Sequence, residues 1–303
     1  MDSQEKLSDN IPDWLNSFGP NQNTGIEAEK KTGIQILLQN GLDTPANLPD
    51  KYRNLEKHYN PSRSNKIKGL ENLSQVDTIG GTADIRIHYT DKPEVGVSVT
   101  LWNRKIEKCL RNPSGKKHYN LEKTPELEKL NDESYNEAIK HRKKMKGDNP
   151  KNWKRCSNCP GTKSMCEHLA NAGSTEWNKM QQETILQNLY TFLDLDSNGK
   201  TKSDCIAFWN EEDEKIHCVF NWELKIDLKD YLDTEHDGIY IYHGNKKDHI
   251  LKTQVKYNNG IIEIKKNKDN DTVTYKKSNN YLSSWNVKAP NLNKIFKMTS
   301  ITL

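Results

Sequence analysis

Two alternating segments joined by a turn constrain the fold of this chain most strongly. From Ala83 to Tyr89 apolar side chains occupy every second position, and the same alternation returns from Val95 to Leu101. Between them stands Thr90-Asp91-Lys92-Pro93, a sequence typical of a turn. A period of two residues places successive side chains on opposite faces of a strand. The pattern therefore predicts an antiparallel β-hairpin with one apolar face and one polar face.

The polar face of this hairpin carries a carboxylate. If the turn centres on Asp91, Asp84 lies opposite Ser98, and Thr100 shares their face. A polar cluster beside an apolar core is costly unless its groups bind something. An Asp carboxylate, a main-chain carbonyl of the next strand and phosphate oxygens together suit octahedral Mg²⁺. We therefore predict a Mg²⁺ site at Asp84; the alternative is an ordinary surface hairpin in which Asp84 has no function.

The same residues resemble the PD-(D/E)xK nuclease core. In that superfamily an Asp starts one strand, and the next strand carries an acid, any residue and Lys. Some of its restriction enzymes have Ser in place of the strand acid, and the following helix supplies the second acid. The segments that carry the resemblance are residues 80–87 (GGTADIRI) and 95–103 (VGVSVTLWN). They look most like the type II restriction endonucleases that cut GGCC and related RGCY sites.

The resemblance implies a mixed α/β fold with a PD-(D/E)xK-like nuclease core. It also implies Mg²⁺-dependent hydrolysis of phosphodiester bonds in double-stranded DNA, leaving 5′-phosphate ends. Enzymes of this kind commonly dimerise so that two active sites meet the two strands, so a homodimer is one expected state.

One position departs from the family pattern, because Thr100 stands where Lys is expected. A Lys there would orient the attacking water and stabilise the charge that develops on the phosphate, and Thr cannot do the second. Lys105, in the segment that follows, is the candidate replacement, and Glu107 is the candidate second acid. Glu94 is a further acid, but the register places it near the turn. The alternative is a site that binds DNA and does not cut it.

A second motif lies in the middle of the chain. A Cys-x-x-Cys sequence is followed six residues later by Cys-x-His, and three thiolates with one imidazole form a closed tetrahedral zinc set. The candidate zinc ligands are Cys156, Cys159, Cys166 and His168. Because the second pair is separated by only one residue, His141 or Cys109 is an alternative fourth ligand. We predict a structural zinc loop here; a reduced cysteine-rich loop is the alternative.

Basic and amide side chains adjoin both motifs. Next to the zinc motif, cations alternate with an aromatic residue, a composition suited to phosphate and base contacts. The predicted DNA-contacting residues are Asn103, Arg104, Lys151, Trp153, Lys154 and Arg155. A solvated basic face is the alternative.

Composition narrows the class of protein. Charged residues make up 29% of the chain and the net charge is +4, which by itself does not identify a partner. No segment approaches the roughly 20 apolar residues that span a bilayer, and the polar segment Met1–Asn10 does not resemble a secretory signal. We therefore expect a cytoplasmic protein whose six cysteines are reduced and that has no membrane partner. A non-catalytic zinc-containing DNA-binding protein is the rival function, and an interaction protein without a nucleic-acid role is the third.

The remaining pattern predicts the organisation of the chain. We expect a flexible arm at 1–23, a nuclease core at 24–230 that includes the zinc loop at 153–170, and a β-rich part at 231–303. The predicted helices span 26–39, 104–110, 125–146 and 174–195, the last capped by Ser174, and the stretch 43–74 is predicted as loop with short helical turns. The predicted strands are 205–209, 216–222 and 239–242, followed by a hairpin of 254–257 with 261–264 around Asn258-Asn259-Gly260.

Overall fold

The computed structural model describes residues 7–20, 23–62, 66–74, 83–101, 110, 112–153, 159–255, 261–266, 273–282, 285–289 and 292–303. The fold is mixed α/β, as predicted. The chain divides into two compact units, and each is discontinuous in sequence. Unit 1 comprises 1–109, 194–225 and 293–303, and unit 2 comprises 110–193 and 226–292. This division differs from the predicted one, in which a single core ran from 24 to 230.

Unit 1 is built on a mixed sheet. Among its described residues six strands lie side by side, and all neighbours are antiparallel except the third and fourth, which are parallel. In spatial order they are β1 (Ile67–Asn72), β2 (Ile85–Tyr89), β3 (Val95–Leu101), β4 (Cys205–Asn210), β5 (Lys215–Leu224) and β12 (Phe296–Ile301).

The predicted hairpin is confirmed as β2 and β3. Ile85 pairs with Val97 and Ile87 with Val95, so the turn lies where the sequence placed it. Ile85, Ile87 and Val97 are fully buried and belong to one apolar core. The strands predicted at 205–209 and 216–222 are confirmed as β4 and β5.

Residues 7–20, the described part of the arm predicted at 1–23, are packed and do not form the flexible arm that their polar composition suggested. Residues 11–16 form α1 (Ile11–Asn16), and Ile11 and Trp14 are fully buried in the unit 1 core. The Trp14 Nε1 donates to the main-chain oxygen of Lys30, 3.0 Å away. A Cβ at Gly33 would lie 2.2 Å from the Trp14 ring, so the missing side chain of this glycine leaves the space that the indole fills.

Helix α2 (Thr24–Gln39) confirms the helix predicted at 26–39. It begins there because the Asn23 side chain accepts a hydrogen bond from the Ile26 amide, which would otherwise lack a partner in the first turn. Short 3-10 helices at 45–47 and 50–58 agree with the predicted helical turns, whereas β1 was predicted as loop. The predicted helix 104–110 falls on residues that lie outside the described part, apart from Leu110.

Unit 2 combines four helices with two small sheets in its described residues. The helices are α3 (Gly115–Tyr119), α4 (Pro125–Lys146), α5 (Pro160–Trp177) and α6 (Gln182–Phe192). One sheet has the order β11 (Trp285–Lys288), β8 (Leu251–Val255), β7 (Tyr240–His243) and β6 (Thr234–Asp237), with antiparallel neighbours. Strands β9 (Ile262–Lys266) and β10 (Val273–Lys277) form a separate antiparallel ribbon, and the short α7 (Leu292–Ile295) precedes β12.

The strand predicted at 239–242 is confirmed as β7. Helix α4 confirms the helix at 125–146. The single helix predicted from Ser174 is wrong, because Ser174 lies buried inside α5, its Oγ 2.8 Å from the Thr234 hydroxyl, and a break at 178–181 separates α5 from α6. The turn of the hairpin predicted around Asn258 falls on 256–260, which lie outside the described residues, so this hairpin stays a prediction; in the described part β9 pairs with β10, and β8 pairs with β7 and β11. Within the described residues no helix is long and apolar enough to cross a membrane.

The core of unit 2 encloses a chain of polar groups. The Tyr119 hydroxyl lies 3.0 Å from His243 Nε2 and 2.5 Å from the Thr253 hydroxyl, and all three residues are fully buried. The rings of Trp177 and Phe192 pack edge-on against the His243 imidazole. Burial lowers the pKa of His243 to about 3 and that of His118, in the same unit, to about 4.

These histidines predict that unit 2 loses stability in acid. The unfolded chain takes up their protons below pH 6.5, whereas the folded chain resists until the lowered pKa is reached, so the unfolding free energy falls as pH decreases through this window. For His243 the loss between pH 7 and pH 4.5 is about 2–3 kcal/mol. Denaturant unfolding of His243→Gln at the two pH values should show a difference smaller by about that amount. The exposed His236→Gln is the matched control and should keep the wild-type difference; equal differences in both variants would contradict the assignment.

Candidate functional site

The main chain of Asp84 is fixed between two strands of unit 1. Its amide donates to the Val97 oxygen at 2.9 Å, and its carbonyl accepts from the Leu73 amide at 3.0 Å. Asp84 directly precedes β2, so its side chain follows the alternation of that strand and lies on the face opposite Ile85. These two main-chain hydrogen bonds therefore fix the backbone position from which the carboxylate projects.

The carboxylate reaches across to β3. Asp84 Oδ2 accepts from the Val99 amide at 2.6 Å and from Ser98 Oγ at 3.2 Å. The predicted placement of Asp84 against Ser98 is confirmed. Both donors are on one short stretch of strand, so the bonds fix the orientation of the carboxylate as well as its position.

On the side of Asp84 that faces β4, the neighbouring side chains change from polar to apolar. Thr100 lies on the same strand face as Ser98, and both are half-buried. On β4, Ile206 pairs with Ser98 and Phe208 with Thr100, and both of these apolar side chains are fully buried. The polar group around Asp84 thus borders an apolar region in the direction of β4.

Four charged side chains from β1, from β2 and from the residue before β3 form a cluster that we call the charged quartet: Glu71, Arg86, His88 and Glu94. Arg86 Nη1 lies 2.9 Å from Glu71 Oε2, and Arg86 Nε lies 3.6 Å from Glu94 Oε2. His88 approaches the same two carboxylates, with Nε2 3.3 Å from Glu71 and Nδ1 2.9 Å from Glu94. Because these acids and bases satisfy one another, Glu94 acts as a partner within the quartet and not as a ligand beside Asp84.

An acidic residue that the sequence analysis did not single out lies on α2. Glu29 is buried, and its Oε2 accepts from the Ser74 hydroxyl at 2.7 Å. Ser74 directly follows Leu73, whose amide binds the Asp84 carbonyl. On α2, Glu29 stands between Ala28 and Lys30, and all three residues are buried. The helical periodicity of the sequence alone did not distinguish Glu29 from exposed acidic residues.

Seven predicted site residues lie outside the described part of the chain. They are Asn103, Arg104, Lys105, Glu107, Lys154, Arg155 and Cys156. Their roles stay predictions. The structure places Asp84, Ser98 and Thr100 together. It does not test whether the segment after β3 supplies a second acid or a lysine to this site.

The predicted zinc loop is wrong in its local structure, because residues from Pro160 onward are helical. Cys159 precedes α5, while Cys166 and His168 lie inside it. Cys166 is buried and His168 is exposed, since residues two apart on a helix point to nearly opposite sides. Burial raises the pKa of the Cys166 thiol to about 12. Within the described ranges no three His, Cys, Asp or Glu side chains are grouped to hold a metal ion.

The predicted DNA contact at Trp153 also needs correction. Trp153 is 5% exposed, its ring lies 4.9 Å from that of Tyr275, and its Nε1 donates to the Gly147 oxygen at 2.9 Å. It anchors the end of α4 to the β9–β10 ribbon and does not offer its ring to a base. Lys151, in the 3-10 helix 150–152, is exposed as a phosphate contact requires.

No protein-family model, curated protein or solved structure shows a significant match to this chain. Any functional assignment therefore depends on the geometry of the residues themselves. Chemically, the Asp84 group offers one oriented carboxylate with two neighbouring hydroxyl groups. A single carboxylate suits an ion such as Mg²⁺ that keeps several waters and completes its coordination with substrate phosphates.

Proposed function

We propose that the chain is a Mg²⁺-dependent endonuclease that hydrolyses double-stranded DNA, with Asp84 as a ligand of the ion. The observation that carries the proposal is the hydrogen bonding of Asp84 Oδ2 to the Val99 amide and Ser98 Oγ. An Asp at the start of one strand, held against a Ser of the next, is part of the arrangement that the resemblance to PD-(D/E)xK restriction enzymes requires, and Thr100 is the position that departs from it. The zinc motif is not needed for this chemistry.

Each residue of the group has a role that its position allows. Asp84 would hold the ion, and the Val99 amide and Ser98 hydroxyl would keep its carboxylate in one orientation. Mg²⁺, when bound, activates the attacking water and neutralises charge on the phosphate. Thr100, on the same face, can orient that water by a hydrogen bond but cannot supply positive charge. Lys105 is our candidate for that charge and Glu107 for the second acid.

A second candidate function is DNA binding without cleavage. The neutral side chain of Thr100 at the position where the family pattern has Lys favours it. Both candidates predict binding to double-stranded DNA, and they differ only in whether Mg²⁺ leads to strand cleavage.

Cleavage of plasmid and genomic DNA by the purified chain tests the first candidate. We expect cleavage with Mg²⁺ and none with EDTA. Asp84→Ala should lower the rate at least about 100-fold, since losing a direct ligand costs more than losing an outer partner of one. Asp91→Ala removes an Asp at the turn of the same hairpin, whose Oδ2 lies 3.7 Å from Lys66 Nζ, and should keep the wild-type rate. Undiminished cleavage by Asp84→Ala would refute the site; binding without cleavage by the wild type would favour the second candidate.

Whether Lys105 supplies the positive charge that Thr100 cannot supply can be tested by moving a lysine from position 105 to position 100. Lys105→Ala should lower the cleavage rate by about 100-fold, in the range measured for single groups that stabilise a charged transition state. Adding Thr100→Lys to that variant should restore much of the rate, because the new ammonium lies on the Asp84 face of β3. Thr100→Ser is the control for a change that keeps the hydroxyl. A wild-type rate in Lys105→Ala would show that Lys105 has no such role.

A further inference from the structure

Helix α4 is divided by charge along its length. Its acidic side chains all lie between 126 and 137, and its last two turns, 140–146, carry basic ones. The 22 residues give the helix a length of about 33 Å. The acids are Glu126, Glu128, Asp132, Glu133 and Glu137. The exposed lysines of the last two turns, which we call the α4 basic face, are Lys140, Lys143, Lys144 and Lys146.

The basic face points to solvent. The buried stripe of α4 is formed by Leu127, Asn131, Ser134, Ala138 and Arg142, which recur at three- and four-residue spacing. At 100° per residue, Lys140, Lys143 and Lys144 lie on the side of the helix away from this stripe, and Lys146 lies at its flank, where it is exposed. They are therefore not needed to pack α4 against the rest of unit 2.

The two halves of α4 also differ in how their charges are paired. Glu128 lies near Lys123 and Lys277, Asp132 near Lys277, and Glu133 near Lys129. On the basic face Lys143 lies 3.1 Å from Asp148. Among the described residues Lys140, Lys144 and Lys146 have no carboxylate within 4.0 Å. The helix thus presents positive charge that the described part of the chain does not neutralise.

Helix stabilisation alone does not explain the basic run. Lysines near a helix C-terminus interact favourably with the helix dipole, but this effect falls off within the last turn. Lys140 precedes the last residue of α4 by six positions, which is more than one turn. An exposed tyrosine stands beside the end of the helix: Tyr275 is 38% exposed, and its ring packs on Trp153.

We propose that the α4 basic face binds the phosphate backbone of double-stranded DNA, with Tyr275 as a further phosphate-contacting side chain. Lysine and tyrosine both donate hydrogen bonds to phosphate oxygens and position a protein on the duplex without reading its sequence. Lys140 and Lys144 are about 6 Å apart along the helix, and B-DNA carries one charge per roughly 1.7 Å of its axis, so each ammonium can reach a phosphate. The choice of DNA as the partner rests on the function proposed above.

Salt-dependent binding to a DNA duplex, measured by fluorescence anisotropy in EDTA so that no strand is cut, tests this surface. The variant is Lys140→Ala, Lys143→Ala and Lys144→Ala combined, which keeps good helix formers in α4. Its slope of log K against log salt should be shallower by about 2–3, and its affinity should fall equally for unrelated duplex sequences. The matched control combines Lys229→Ala, Lys247→Ala and Lys297→Ala, which removes the same charge at exposed positions elsewhere and should change the slope little.

Each outcome bears on the surface separately from the nuclease proposal. A slope and affinity equal to those of the control variant, or no duplex binding by the wild type at low salt, would overturn the inference. Tighter binding to double-stranded RNA than to DNA would overturn the choice of partner. A wild type that cuts DNA while the triple variant binds normally would leave the nuclease proposal standing and remove the α4 basic face. A wild type that binds DNA through this face and does not cut it would support the α4 basic face and overturn the nuclease proposal.

Discussion

The register of β2 against β3 is the constraint on which the Asp84 site depends. Ile85 and Val97 are paired and fully buried, so the core holds this register through apolar side chains on the other face of the sheet. A slip of one residue would turn Asp84 into the core and Ile85 to the solvent, which is costly on both counts. The apolar alternation therefore determines where the polar group lies. The hydrogen bonds from Val99 and Ser98 then fix the carboxylate within that position.

The features that the sequence predicted well are those set by local pattern. The β2–β3 hairpin follows from a period of two and a turn, and α4 follows from Pro125 near its start and Gly147 at its end. The cysteine segment misled because Cys, Pro and Gly together suggested a loop, whereas Pro160 occupies the first turn of α5, where proline is well tolerated. The polar N-terminal segment misled because its packing depends on contacts with residues distant in the sequence, among them that of Trp14 with the space at Gly33 and the hydrogen bond from the Ile11 amide to Asp43.

Features set by distant contacts were the ones that composition and spacing did not reveal. The sequence did not predict that β9 pairs with β10 or that β8 pairs with β11. The chain enters unit 2 at Leu110, returns to unit 1 at Asp194, enters unit 2 again at Ile226 and returns to unit 1 at Asn293. No local signal in the sequence marks these crossings. For the candidate site, the sequence predicted the neighbours of Asp84 but not Glu29, because its burial depends on how α2 packs.

Titration of the protein with Mn²⁺ under nuclear magnetic resonance shows whether a divalent cation binds at Asp84. A bound paramagnetic ion broadens the amide signals nearest to it. We expect the amides of Asp84, Ser98, Val99 and Thr100 to broaden first and the Asp84→Asn variant to lose this effect. If those four signals stay sharp while others broaden, or if Asp84→Asn behaves as the wild type does, the cation is not held by Asp84.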